Sequence, residues 1–139
     1  MQVREIMTRG GHVIEHRDSV RHAAELMRDH DIGILPVLEE NQLTGAVTDR
    51  DITIRAVADG ASLEDTPVSA VMSRGVLVGY EDDDVETAAA TMEAQQVRRL
   101  LVMDRNERFV GILSVGDLAH RGADQSLTGE VMEKTSMPQ

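Results

Sequence analysis

From residue 20 the apolar side chains Val20, Ala23, Ala24 and Met27 fall at i, i+3, i+4 and i+7, the stripe of a helix with one buried face. The same spacing returns at Val85, Ala88, Ala89 and Met92. Ser19 and Asp84 stand just ahead of these stripes, where an N-cap belongs. Two shorter apolar runs follow each helix, ILPVLEE then QLTGAVT, and RRLLVMD then RFVGILS. The turn-rich EENQ and DRNE between them predict two strand pairs. Ahead of the helices, VREIM and VSAVM read as short helical turns, each leading to a strand around Val13-Ile14 or Val76-Leu77-Val78. After each strand pair a second helix opens, over ITIRAVADG or LAHRGAD.

This parallel order is a duplication. Sliding residues 3–37 onto 68–102 gives identity at twelve of 35 positions, spread along the whole window. VREIMTRG aligns with VSAVMSRG, DSVRHAAELM with DDVETAAATM, and ILPV with RLLV. After one gap in the next loop, Gly45, Thr48 and Asp51 align with Gly111, Ser114 and Asp117. The sequence therefore divides into a first unit, 3–59, a connector, 60–67, a second unit, 68–122, and a tail, 123–139, whose SLTGEVMEK is compatible with a short helix. Thr66-Pro67 is set to start the next helical turn. A unit of this size is marginal alone, burying only about 60% of its unfolded surface, so the two are expected to share one core.

Composition narrows the class. The chain has 139 residues, the length of one ordinary domain. It has no cysteine, which removes disulfides and thiolate zinc and fits a reducing cytoplasm. The N-terminus lacks the apolar core of a signal peptide, and no apolar run is long enough for a membrane helix. A net charge of −11 argues against nucleic acid, and one Phe, one Tyr and no Trp leave no stacking platform for bases. An anionic ligand must then be met locally, by a few Arg side chains or a helix N-terminus.

The candidate chemistry sits in GAVTDRDI and GILSVGDL. A hydroxyl followed three residues later by an acid, before an apolar run, has the form of a capping box, with Asp in place of the usual Glu or Gln. A copied unit would copy its cap, so recurrence alone does not require a ligand. The same atoms suit one: a hydroxyl and helix N–H groups can donate to phosphate, and a rigid carboxylate offers two acceptors to a vicinal diol. In QQVRRLLV, Arg98 and Arg99 face opposite ways if the segment is a strand, one to solvent and one to a cleft. Their counterparts are Gly33 and Ile34, whereas Arg50 lies inside the first motif and Gly116 at its counterpart, so the two sites should differ.

Other residue types lead nowhere chemical. His12 and His16 could share one face of a strand, but no carboxylate stands at a ligand spacing, and no metal site is expected. Glu81-Asp82-Asp83-Asp84 reads as a solvated loop ending in a cap, without the alternation of a calcium loop. Met7, Met27, Met72 and Met92 are expected in the core. No nucleophile–base set is legible, so no catalytic residue is assigned and no enzyme activity is expected.

A tandem of β-α-β-β-α units, each ending in Gly-x-x-Thr/Ser-x-x-Asp, resembles the cystathionine-β-synthase (CBS) domain, and two in tandem resemble a Bateman module. IMT, DSVRHAAELMRDHDIGILPV and LTGAVTDRDITIRAV look like the small stand-alone bacterial CBS pairs of the hypoxic-response type. The resemblance covers about residues 3–122. It implies an α/β fold of two CBS units packed into one pseudo-twofold module. It also implies a regulatory role: an adenosyl ligand (AMP, ADP, ATP, NAD or S-adenosylmethionine) bound in clefts changes the conformation of the module. Homodimers formed by stacking of CBS pairs follow from the same resemblance, and the two motifs in so short a chain lead to the expectation of a separate effector protein as readout. Net charge favours AMP or NAD over ATP.

Carried over position by position, the resemblance assigns Thr48, Arg50 and Asp51, and Ser114 and Asp117, to ribose and phosphate, with Arg98 and Arg99 on phosphate. It assigns Thr8, His12 and Val13, and Ser73, Leu77 and Val78, to adenine recognition. Gly33, Ile34 and Pro36 line the first site, the last two as an apolar wall. The competing expectation is a protein-interaction or dimerisation adaptor without ligand, in which Thr48, Asp51, Ser114 and Asp117 only cap helices.

Overall fold

The computed structural model of the chain describes residues 1–120. The expected tail and the end of the second unit lie outside the described residues. In chain order the elements are a 3-10 turn Val3–Glu5, β1 Thr8–Arg9, β2 Ile14–Glu15, α1 Val20–His30, β3 Ile34–Glu39 and β4 Gln42–Thr48. Helix α2, Asp49–Ile52, continues into a π-helical segment, Thr53–Val57. Then come a second 3-10 turn Val68–Ala70, β5 Val78–Tyr80, α3 Val85–Gln95, β6 Arg99–Met103, β7 Phe109–Ser114 and α4 Val115–His120. The fold is mixed α/β, as the spacing predicts. The short strands lie one or two residues later than expected, at Ile14–Glu15 and Val78–Tyr80.

Two compact lobes form, and their boundaries are not those of the sequence repeats. The central lobe is His12–Val76, and the terminal lobe joins Met1–Gly11 to the described residues from Leu77 on. The cause is an exchange of the short leading turns. Val3, Ile6 and Met7 pack with Val85, Ala88, Ala89 and Met92 of α3, whereas Val68, Val71 and Met72 pack with Val20, Ala23 and Met27 of α1. Backbone bonds fix each docking: Val3 N donates to Asp83 O at 2.9 Å, and Val68 N donates to Asp18 O at 2.8 Å. Each core therefore contains side chains from both repeats. Met7, Met27, Met72 and Met92 are all in these cores. Full burial of a residue such as Leu35, Leu100 or Leu113 contributes about 1.5–3 kcal/mol.

Two residues of the expected connector are also packed. Ala61 and Leu63 lie against the central core, and Leu63 O accepts from Arg21 N at 2.9 Å.

The central lobe has a sheet ordered β2-β3-β4, and the terminal lobe one ordered β1-β7-β6-β5. In both, the strand ahead of the long helix, β2 or β5, is parallel to the first hairpin strand and the hairpin is antiparallel, and in the terminal lobe β1 adds antiparallel to β7. Both hairpins carry a register shift at the same repeat position, Val37/Leu38 and Val102/Met103. Their turns use left-handed residues, Glu40 and Asn41 in one and Glu107 in the other.

Two local expectations are corrected. Ser19 does cap α1, its Oγ accepting from His22 N at 3.0 Å, but Asp84 makes no side-chain cap bond to α3. The preceding Asp83 instead accepts from Tyr80 N at 2.9 Å, just as Asp18 accepts from Glu15 N at 3.2 Å. The repeated aspartate thus closes the strand-to-helix turn. Ala24 is exposed although Ala89 is fully buried. In α1 the partly buried Leu26 packs against the core, where α3 has the polar Thr91.

Candidate functional site

The hydroxyl–aspartate motifs form a cap in each lobe. Strand β4 delivers Thr48 in extended conformation (φ −112°, ψ 163°) to the start of α2. Thr48 Oγ1 accepts from Asp51 N at 3.0 Å, and Asp51 Oδ2 accepts from Thr48 N at 3.0 Å. In the terminal lobe Ser114 Oγ accepts from Asp117 N, and Asp117 Oδ2 from Ser114 N, both at 3.0 Å. Both are capping boxes with the shorter Asp, whose carboxylate is drawn against the first helical turn.

A third residue completes each cluster, and it comes from the other repeat. Ser73 Oγ lies 3.3 and 3.4 Å from the two carboxylate oxygens of Asp51, as donor. Thr8 Oγ1 donates to Asp117 Oδ1 at 3.2 Å. The motif glycines make these approaches possible. Ser73 exchanges backbone bonds with Ala46, at 3.0 and 2.9 Å, directly over Gly45, where any Cβ would run into Ser73 O. Strand β1 crosses β7 with Arg9 opposite Gly111, where a Cβ would stand 2.5 Å from Thr8 O. The glycine of Gly-x-x-Thr/Ser-x-x-Asp is thus the crossing point for the segment that carries the third hydroxyl.

The surroundings differ. Asp51 is 6% exposed, the single buried charged residue among those described. A buried carboxylate needs partners, and besides Thr48 N and Ser73 it has the Arg55 guanidinium, with Nη1 3.5 Å from Oδ1. Asp117 is only half-buried. Across the hairpin, Arg99 is the register partner of Ser114, and Arg98 O accepts from Val115 N at 3.1 Å. Both arginines are exposed. In the central lobe Ile34 is the partner of Thr48, and Gly33 O accepts from Asp49 N at 3.0 Å. A Cβ on Gly33 would stand 3.0 Å from the Asp49 carboxylate. The place matching an arginine is thus occupied by an acid. Arg50, one residue on, is exposed, and its backbone N donates to Asp49 Oδ1 at 2.8 Å.

The remaining candidates lie around these clusters. Pro36 is buried in β3, Ile34 half-buried, and Val13 is 36% exposed just before β2. Leu77 packs on the terminal core and its carbonyl accepts from Leu101 N at 3.2 Å, whereas Val78 is 38% exposed. His12 does not share a strand face with His16, because β2 spans only Ile14–Glu15. The His12 ring stacks on His30 at 3.5 Å, and His16 lies 3.8 Å from Glu39. Among the described residues no group of three or more His, Asp or Glu could hold a metal. No helix among them is long and apolar enough to cross a membrane.

The acidic run is not wholly solvated. Arg105 Nη2 is 2.9 Å from Asp82 and 3.4 Å from Asp83, and its guanidinium lies 4.0 Å over the Tyr80 ring. The hydrogen bond to Arg105 holds the Asp82 carboxyl below its ordinary range. Tyr80 donates to Glu107 at 2.9 Å, which raises its phenol.

Arg55 is not among the sequence-predicted site residues, and Thr8 and Ser73, expected at adenine, are hydrogen-bonded to the two carboxylates. Arg55 was within reach of a simple rule, since Asp51 and Arg55 are an i,i+4 pair. The motif register carries it onto Arg121, outside the described residues.

Comparison with known proteins agrees with this architecture. The CBS domain family model matches residues 3–57 and 68–124. The CBS domain-containing protein YhcV of Bacillus subtilis is 36% identical, over 96% of this chain and 94% of its own length. Hypoxic response protein 1 of Mycobacterium tuberculosis is 32% identical, over 84% and 81%. The chain also matches a homoserine O-acetyltransferase of Methanococcus vannielii, 29% identical, but spans 24% of that enzyme. Among solved structures, Hypoxic Response Protein I with two coordinated zinc ions superposes with TM-score 0.78 at 30% identity, covering 88% of this chain and 99% of that one. CBSX2 in complex with AMP gives TM-score 0.72 at 27% identity, over 85% and 93%. The CBS domain pair of protein MJ0100, with 5′-methylthioadenosine and S-adenosyl-L-methionine, gives 0.70 at 27%, over 86% and 93%.

Proposed function

Because the chain belongs to the CBS domain family, as a tandem pair of these domains, we propose that it is a regulatory module that binds an adenosyl ligand through its repeated hydroxyl–aspartate clusters. The observation that carries the reading is the third hydroxyl. In each lobe a Ser or Thr from the other repeat donates to a capping aspartate at 3.2–3.4 Å, so a ribose hydroxyl could replace it as donor. The adenosyl ligands in CBSX2 and the MJ0100 pair support the ligand class. In this reading Asp51 and Asp117 accept from ribose, and Thr48 and Ser114 with their helix N–H groups face phosphate. Arg98, Arg99 and Arg50 supply positive charge, and Thr8, Ser73, His12, Val13, Leu77, Val78, Gly33, Ile34 and Pro36 border the base and sugar.

AMP and NAD are the favoured ligands. They place less phosphate charge against a net charge of −11 than ATP does. Binding shifts the population of conformers by the ligand's differential affinity for them. The shift is read by a partner, either a second copy of the chain or a separate effector protein, and the protein acts in the cytoplasm as a regulator rather than an enzyme. Thermal unfolding with AMP, ADP, ATP, NAD and S-adenosylmethionine tests this. A specific ligand at about 100 times its Kd stabilises the protein by about 2.7 kcal/mol. An unchanged midpoint with all five contradicts the reading.

One observation favours a second reading. Both aspartates already have their cap and hydroxyl partners, so capping alone accounts for their positions. A ligand-free adaptor would then keep its partner binding when either carboxylate is replaced.

A further inference from the structure

One guanidinium nitrogen in the central lobe meets four acceptors. Arg55 Nη1 lies 3.0 Å from Val71 O, 3.2 Å from Met72 O, 3.3 Å from Ser73 Oγ and 3.5 Å from Asp51 Oδ1, acceptors that share its two hydrogens. These belong to two stretches of chain, the capping box at Thr48–Asp51 and the segment Val71–Ser73 that crosses Gly45. Ser73 accepts from Arg55 through the same oxygen that donates to Asp51, so a chain of charge-assisted bonds runs from guanidinium through hydroxyl to carboxylate. The helix is altered where Arg55 sits: Ala58 N donates to Thr53 O at 3.0 Å, the i→i+5 bond of a π-turn, a feature frequent at functional sites.

We propose that Arg55 is a positioning residue for the Asp51 site, clamping the Val71–Ser73 segment onto the capping box so that the Asp51 carboxylate is held in one orientation for a vicinal diol that takes over from Ser73 Oγ. The selectivity part rests on the adenosyl-ligand reading, and the clamp itself does not. A residue that merely stabilises the fold would weaken all ligands alike. A residue that fixes the carboxylate affects the diol in particular, because two hydroxyls must meet two oxygens at once.

The test uses the full chain with Asp117→Ala, leaving the central site as the diol acceptor, and compares Arg55→Ala and Arg55→Lys in that background. Two quantities are read: amide hydrogen exchange by NMR, and the ratio of Kd for 2′-deoxyAMP to Kd for AMP. With Arg55 present the ratio is expected to be about tenfold, the size of a hydrogen bond to a charged group. Arg55→Ala should bring it close to one and accelerate exchange at Ala46 and Ser73 about tenfold, while Leu35 and Val47 in the sheet are unchanged. Arg55→Lys, which keeps the charge without the fork, should fall between. An unchanged ratio overturns the diol role, and unchanged exchange at Ala46 and Ser73 overturns the clamp. If the Asp117→Ala protein with Arg55 intact binds neither nucleotide, the diol role of the central site is overturned, the ligand reading then rests on the unsubstituted protein, and the exchange rates alone decide the clamp.

Discussion

The two aspartate clusters share a cap, a hydroxyl partner from the other repeat and a crossing glycine, and differ in burial and in the charges around them. Asp51 is buried under Ser73 with Arg55 beside it, and an acid, Asp49, covers the backbone where the other lobe has Arg98. Asp117 is half-buried, touched by Thr8, with Arg99 opposite its serine across the hairpin. Duplication preserved the geometry that makes a carboxylate rigid, and divergence acted on charge and access around it. On the proposed adenosyl-ligand reading, Asp117, with Arg98 and Arg99 near it, is expected to fill first, and Asp51 to be the one more committed to holding its lobe together.

The most damaging change should treat the lobes alike. Gly45→Ala and Gly111→Ala each place a Cβ against a backbone oxygen, of Ser73 or Thr8, which can yield only by moving the crossing segment. Each should cost about 3 kcal/mol in urea unfolding. A large loss in one lobe and none in the other would break the parallel between the crossings.

Removing the carboxylates should separate the lobes. Asp51→Ala takes the partner from Thr48 N, Ser73 and Arg55 in a buried place and should cost about 2 kcal/mol. Asp117→Ala, at a more open cap, should cost about 1 kcal/mol. Equal losses would mean that burial of Asp51 carries no energetic weight.

The charge difference is sharpened by Arg98→Ala with Arg99→Ala. This double variant should lower AMP affinity about fivefold at low salt, with the gap narrowing as salt is added. Arg50→Ala should have a smaller effect, since Asp49 lies next to it.

The smallest effect concerns the acid limb. Asp82 is held below its ordinary value of 3.8 by Arg105. A depressed carboxyl stabilises the fold above its unfolded pKa, and that contribution is lost as pH falls through the folded value. Arg105→Ala should therefore lower the melting temperature slightly at pH 6, and the difference should shrink as the pH falls below 3.8. The central lobe, with His16 near Glu39 at the matching end of its sheet, has no such arginine clip and supplies the control.

Much of this was legible in the sequence because it depends on local pattern. The i, i+3, i+4, i+7 stripes located α1 and α3, the turn residues located both hairpins, and the hydroxyl–aspartate spacing located both capping boxes. What escaped is non-local. Nothing in VREIMTRG states that it packs against α3 rather than α1, because its repeat VSAVMSRG has the same apolar pattern and fits either core. The exchange decides where Thr8 and Ser73 go, so their place on the carboxylates was hidden with it. Ala24 lies on the ideal stripe yet is exposed, whereas Leu26, off that stripe, packs against the core, a choice that spacing alone does not make.

The central claim is that a capping aspartate serves as ribose acceptor, with Asp117 the stronger site. Calorimetric titration of AMP into the unsubstituted protein, Asp117→Ala and Asp51→Ala, each first shown to be folded, tests it most directly. The account predicts saturable binding to the unsubstituted protein, weakened more than tenfold by Asp117→Ala and less by Asp51→Ala. Binding of equal strength in all three proteins, or no binding in any, would contradict it.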